Sequence, residues 1–179
     1  METYRIQIGD CVRQLPICPI NENLSIAGFV MLGDVELTEA CAKELLKICP
    51  EHDIIVTAET KGITLAHEMA RRGCGDYIVA RKGIKAYMQN PVSVEVKSIT
   101  TEDVQKLYLA KADYDKLKNK RVLIVDDVIS TGESLAAIQR LLSQFSVNIV
   151  GSAAVLAEGD AADRDDIIFV QKLPLFFRS

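Results

Sequence analysis

One segment limits the fold more than any other: Val122-Leu123-Ile124-Val125-Asp126-Asp127-Val128-Ile129-Ser130-Thr131-Gly132-Glu133-Ser134. Four successive apolar residues, three of them β-branched, read as a buried parallel strand covered on both faces. The strand runs straight into two adjacent carboxylates. A hydroxyl-and-glycine turn follows, and a helical pattern opens at Glu133. Backbone N–H groups at such a helix start suit a phosphate. The carboxylates suit sugar hydroxyls or metal-bound water. Ligands collect at the carboxyl ends of strands in open parallel sheets, so a merely solvated acidic turn is the weaker reading. A P-loop would need Gly-Lys-Ser/Thr, which does not occur. Receiver domains also open on Ile-Val-Asp-Asp, but most of their fold follows the acidic pair, whereas this sequence runs only to Ser179.

The 179 residues suit one domain with a proper core. Hydrophobic residues at 49% and charged residues at 26% fit a globular chain rather than a disordered one. A net charge of −4 counts against wholesale nucleic-acid binding. The start lacks an apolar signal core, and no apolar run approaches the roughly 20 residues of a membrane span. A cytoplasmic protein with no membrane partner is expected. The five cysteines, Cys11, Cys18, Cys41, Cys49 and Cys74, are odd in number and lack metal-ligand spacing. They are expected to be reduced and to serve as small apolar filler. His67-Glu68 begins like a zinc-protease helix, but position 71 is Arg, which removes the metal reading. His67 is expected on a helix face and His52 on a solvated loop.

Leu37, Cys41, Leu45 and Ile48 share one helical face, and Pro50 ends that run. Residues 53–58 read as a strand, 63–72 as a helix closed by Gly73, and 77–80 as a strand. Val92, Val94 and Val96 alternate with polar residues, as do Leu107 and Leu109, which predicts a half-exposed hairpin. After the acidic segment come a helix over 133–144 and strands over 149–156 and 167–170. This rhythm predicts an α/β fold: a doubly wound, mostly parallel sheet with helices on both faces. Residues 1–35 break it, with short apolar pieces interrupted by Gly9, Pro16, Pro19 and Gly33.

The 126–134 segment resembles the phosphoribosyl pyrophosphate signature of the type I phosphoribosyltransferases. The resemblance implies that Asp126 and Asp127 hold the ribose hydroxyls and, through water, Mg²⁺. It implies that Val128, Ile129, Ser130, Thr131, Gly132, Glu133 and Ser134 form the 5′-phosphate turn. Ala58-Glu59-Thr60-Lys61-Gly62-Ile63 is similar to the family's pyrophosphate loop, with Thr60, Lys61 and Gly62 where adenine enzymes usually carry Ser-Arg-Gly. Ala80-Arg81-Lys82-Gly83-Ile84-Lys85 resembles the Arg-Lys-x-x-Lys segment of adenine and xanthine enzymes, so Arg81, Lys82 and Lys85 are further pyrophosphate ligands. Lys61 and Arg81 are expected on exposed loops, with catalytic roles beside Asp126 and Asp127.

The same resemblance divides the single domain into a core over 36–156 and a hood over 1–35 and 157–179. It makes 82–109 a mobile catalytic loop. The Leu-Glu-Tyr-Gly segment of adenine enzymes is missing there; Val96-Lys97-Ser98-Ile99-Thr100-Thr101 is closer to the xanthine branch. Ser130 stands where hypoxanthine–guanine enzymes place Asp. Glu158, with Asp160 and Asp163, is expected to read the edge of a base. The implied activity is transfer of 5-phosphoribosyl from phosphoribosyl pyrophosphate to a purine, adenine favoured and xanthine next, in a homodimer. The alternative is a non-catalytic protein that senses phosphoribosyl pyrophosphate or a nucleotide. The missing loop Glu favours it; the acidic charge and the lack of a DNA-binding extension weigh against it.

Overall fold

The computed structural model describes residues 2–97 and 104–177. The chain begins with three antiparallel strands, β1 (Thr3–Ile8), β2 (Cys11–Pro19) and β3 (Leu24–Ala27). Helix α1 (Val35–Leu46), strand β4 (Ile54–Ala58), helix α2 (Ile63–Arg72) and strand β5 (Tyr77–Ala80) follow. An antiparallel pair, β6 (Val92–Lys97) and β7 (Val104–Leu109), leads to the short helix α3 (Lys111–Leu117). Then come β8 (Arg121–Ile129), α4 (Glu133–Ser143) and β9 (Asn148–Glu158). A 3₁₀ turn over Gly159–Asp163 precedes β10 (Ile168–Leu173) and β11 (Leu175–Phe177).

Five strands form one parallel sheet in the order β10-β9-β8-β4-β5. β8 lies at its centre, and its apolar run serves two cores at once. Leu123 and Val125 join a cluster with α1, α2 and the N-terminal strands. Val122 and Ile124 join a second cluster with α4, β7 and α3. Covering both faces of the sheet is what a continuous β-branched run requires. β8 continues through the acidic pair as far as Ile129, further than the apolar run alone indicates, because Val128 and Ile129 stay paired with β9.

α1 starts two residues before the expected apolar face. Asp34 caps it, accepting the Leu37 N–H at 3.0 Å. Arg13 of β2 grips Asp34 at 2.7 Å and Glu36 at 2.8 Å. The N-terminal strands are thereby tied to the core helix, as well as through buried Ile6, Ile8 and Leu15. β1 to β3 form an antiparallel sheet completed by β11, which pairs with β3 from the far end of the chain. Both ends of the sequence thus contribute to one hood, but of the expected 157–179 portion only β11 joins it, because β10 pairs in parallel with β9 at the edge of the core sheet.

Two expectations need correction. α3 has no counterpart in the sequence reading; it is seven residues long and buries only Leu117. The hairpin does bury its apolar face: Leu107 and Leu109 are buried, Val92 and Val94 pack on the second core, and Ser93 and Lys106 are exposed. Ser98 to Thr101 lie outside the described residues. His52 is half-buried rather than solvated, with Nδ1 at 2.8 Å from the Pro50 carbonyl. His67 does lie on a helix, edge-on to Tyr77. All five cysteines are free thiols. Among the described residues no helix is long and apolar enough to cross a membrane.

Candidate phosphoribosyl site

The acidic pair stands on the wall between two cavities. Asp126 lines the smaller, about 50 Å³, together with Val128 and the turn from Ile129 to Ser134. Asp127 lines the larger, about 260 Å³, with Lys61, Val128, Ser130, Glu158 and the hood segment 26–30. The Asp127 N–H donates to Asp126 Oδ1 at 2.9 Å. Burial pushes the Asp126 carboxyl above the ordinary carboxylate range, the Asp127 charge adds to this, and Lys61 opposes it. Lys61 offsets only part of this, so the hydroxyls of a sugar or a hydrated cation would favour the charged form of the pair.

The turn after β8 has the geometry of an anion cradle. Gly132 takes φ +77°, a left-handed conformation that glycine adopts without strain, and opens α4. Thr131 Oγ1 accepts the Glu133 N–H at 3.4 Å. Ser130, Thr131 and Ser134 are exposed. The first N–H groups of α4 have no partner within the helix and face this turn.

The loop after β4 comes up against the acidic pair. A Cβ on Gly62 would lie closer than 3.0 Å to Thr57 Oγ1 and 3.3 Å from Asp126 Oδ1. Only glycine lets the α2 start approach β8 this closely. The Glu59–Thr60 peptide is cis. Lys61 is exposed, as expected, and faces the larger cavity. Arg81 is not on an exposed loop. Its backbone bridges Tyr108 in both directions, at 2.9 and 2.8 Å, and its side chain is only 29% exposed. Glu59 explains this placement. Its carboxylate lies 3.4 Å from Arg81 Nη2 and accepts the Lys82 N–H at 2.9 Å. These contacts hold the Glu59 carboxyl below its usual range, the Lys82 hydrogen bond contributing most. Glu59 joins the two basic segments. It was not singled out from sequence, where nothing but its place between Ala58 and Thr60 marks it. Thr60 and Lys82 are exposed, and Lys85 is half-buried.

Of the three carboxylates expected to read a base, only Glu158 lines the larger cavity. Burial raises its carboxyl above the usual value while Lys61 opposes the rise. Asp163 is held by Lys172 at 2.8 Å and is 82% exposed. Asp160 is exposed on the 3₁₀ turn. The opposite wall is β3 and its continuation, Ile26 to Val30, with Leu173 closing one side.

Comparison with known proteins agrees with this architecture. The family model described as "Phosphoribosyl transferase domain" matches residues 32–176. A hypoxanthine/guanine phosphoribosyltransferase of Methanothermococcus okinawensis is 31% identical, over 75% of this chain and 70% of that protein. The probable purine biosynthesis transcriptional regulator PurR of Streptococcus pneumoniae is 27% identical over 92% of this chain. The chain spans 58% of that regulator's length. A crystal structure of adenine phosphoribosyltransferase from Thermoanaerobacter pseudethanolicus superposes with a TM-score of 0.72 at 20% identity, covering 88% of this chain and 95% of that one. The chain belongs to the phosphoribosyltransferase family and has the type I fold, a parallel sheet beneath an antiparallel hood.

Proposed function

We propose that this protein is a purine phosphoribosyltransferase of nucleotide salvage. The observation that carries the reading is the acidic wall, with a phosphate-type turn on one side and a hooded cavity on the other. A phosphorylated sugar lying across that wall puts its 5′-phosphate in the turn and its C1′ toward the hood. Lys61 and Arg81 neutralise the departing pyrophosphate, with Thr60, Gly62, Lys82 and Lys85 around it. A ring nitrogen of the base forms the bond to C1′ as the bond from C1′ to the pyrophosphate oxygen breaks, and the imidazole proton of the base passes to pyrophosphate or water. Catalysis on this reading is positioning and charge neutralisation.

The donor set fits Mg²⁺ held partly through water. Among the described residues no group of three or more His, Cys, Asp or Glu forms a metal cage. Mg²⁺ does not need one: it keeps several waters and takes one or two carboxylates plus substrate oxygens. Asp126 and Asp127 would hold it, and it would supply charge neutralisation of the pyrophosphate.

Within the purines we favour adenine, then xanthine. Glu158 accepts hydrogen bonds when ionised, so it welcomes an exocyclic amino group and repels a carbonyl. Ser130 offers no carboxylate beside the base. The reading extends to a homodimer and, with its free thiols, to a cytoplasmic setting. A second reading, a sensor of phosphoribosyl pyrophosphate or nucleotide, is favoured by the likeness to the pneumococcal regulator over 92% of this chain. A pyrophosphate-release assay with Mg²⁺ and phosphoribosyl pyrophosphate over a panel of bases tests both. Turnover of adenine supports the proposal. Turnover of orotate or uracil alone overturns the purine assignment. Tight phosphoribosyl pyrophosphate binding with no base consumed establishes the sensor.

A further inference from the structure

The 5′-phosphate turn lacks a cation of its own. From Val128 to Ser134 it holds no Lys or Arg, and it carries the carboxylate of Glu133 in the first turn of α4. A dianionic phosphate monoester placed there meets the N–H groups at the start of α4. The cation comes from elsewhere in the fold. Arg164, just beyond the 3₁₀ turn after β9, lays its guanidinium over Gly132. A Cβ on Gly132 would fall closer than 3.0 Å to Arg164 Nη1. The missing side chain is thus the space the guanidinium occupies. Asp166 fixes the pose by taking Nε at 2.8 Å and Nη2 at 2.7 Å. That fork uses one edge of the guanidinium and turns Nη1 toward the turn.

We propose that Arg164 is a binding residue for the 5′-phosphate, the cation that the fold lays against Gly132 at the α4 end of this turn. This rests on the phosphoribosyl reading above and extends it to a residue 30 positions beyond the signature. Gly132 then has two roles: its left-handed turn and the room it leaves for Arg164. Asp166 is a positioning residue that aims the guanidinium.

Calorimetric titration of wild type, Arg164→Gln and Asp166→Asn tests this, using ribose 5-phosphate, phosphoribosyl pyrophosphate with Mg²⁺, and pyrophosphate with Mg²⁺. Loss of a charge-assisted bond to phosphate weakens binding by about tenfold. Arg164→Gln is expected to weaken both 5′-phosphorylated ligands by that factor and to leave pyrophosphate unchanged. Asp166→Asn keeps the cation and is expected to lose no more than a small part of the affinity. If Arg164 served only the ion pair with Asp166, both variants would weaken the 5′-phosphorylated ligands equally, and that result overturns the proposal. So does unchanged binding in Arg164→Gln, or loss of pyrophosphate affinity to the same extent. Melting curves accompany each variant, and Arg164→Lys keeps the test valid if the Gln variant unfolds, because retained charge predicts partial recovery. A wild type that binds none of the three ligands instead refutes the phosphoribosyl reading, and this inference with it.

Discussion

Desolvation and the adjoining Asp127 together set Asp126 apart. Its folded-state carboxyl titrates above the ordinary value of 3.8 because it is desolvated beside Asp127. The folded chain therefore holds a proton that the unfolded chain releases, and stability falls as pH rises through that window. Asp126→Asn removes this dependence. Its melting temperature is expected to match wild type near pH 3.5 and to exceed it increasingly toward neutrality; equal curves at every pH would contradict the argument. Function runs the other way. Asp126→Asn/Asp127→Asn together should weaken phosphoribosyl pyrophosphate binding by roughly tenfold or more, since each charge-assisted bond contributes about 1.5–3 kcal/mol. Calorimetry with Mg²⁺ checks it. The acidic pair was legible in sequence because its residues are neighbours and its strand and turn are contiguous with it. Glu59 and Arg164 were not, because each acts on a segment more than 20 residues away that only the fold brings near. Asp163 shows the converse: it lies outside the larger cavity and pairs with Lys172 across the 3₁₀ turn, a partner its sequence neighbours do not reveal.

Among the elements, the start of α2 is the most tightly specified. Gly62→Ala would drive a methyl into Thr57 Oγ1 and toward Asp126, so α2 must retreat from β8. The expected result is kcat/KM reduced by about tenfold or more with a smaller change in melting temperature, because a displacement of the order of 1 Å at a reacting group suffices for large losses. Lys61 and Arg81 should part company in the same assay. Lys61→Ala, on an exposed side chain, should reduce turnover with stability within about 0.5 kcal/mol of wild type. Arg81→Ala should reduce turnover and also lower the melting temperature, since it strips Glu59 of one partner. Wild-type kcat/KM in either variant would remove that residue from the pyrophosphate site. Strands and helices with sustained periodicity, such as Ile63–Arg72 and Tyr77–Ala80, were readable to the residue. α3 was not, because one buried leucine in seven residues leaves no period to detect. The hood strands do alternate, Ile6 and Ile8 inward against exposed Arg5 and Gln7, but glycines and prolines around them masked the pattern.

Across the whole molecule the two ends of the chain meet in the hood, where Phe176 of β11 rests edge-on against Tyr4 of β1 at 5.7 Å. Phe176→Ala should loosen that sheet by about 1–2 kcal/mol. The expected signature is a higher KM for the base with an unchanged dissociation constant for phosphoribosyl pyrophosphate; a change in both would mean that the hood also shapes the sugar side. The family match begins at Leu32, so β1 to β3 lie outside it, while the wall bearing Asp126 and Asp127 lies within. That boundary has a consequence for descent. On the proposed reading, a lineage could recast β1 to β3, and with them the base they enclose, while inheriting the wall that would grip the sugar. It could even let chemical turnover lapse and keep that grip as a gauge of metabolite supply.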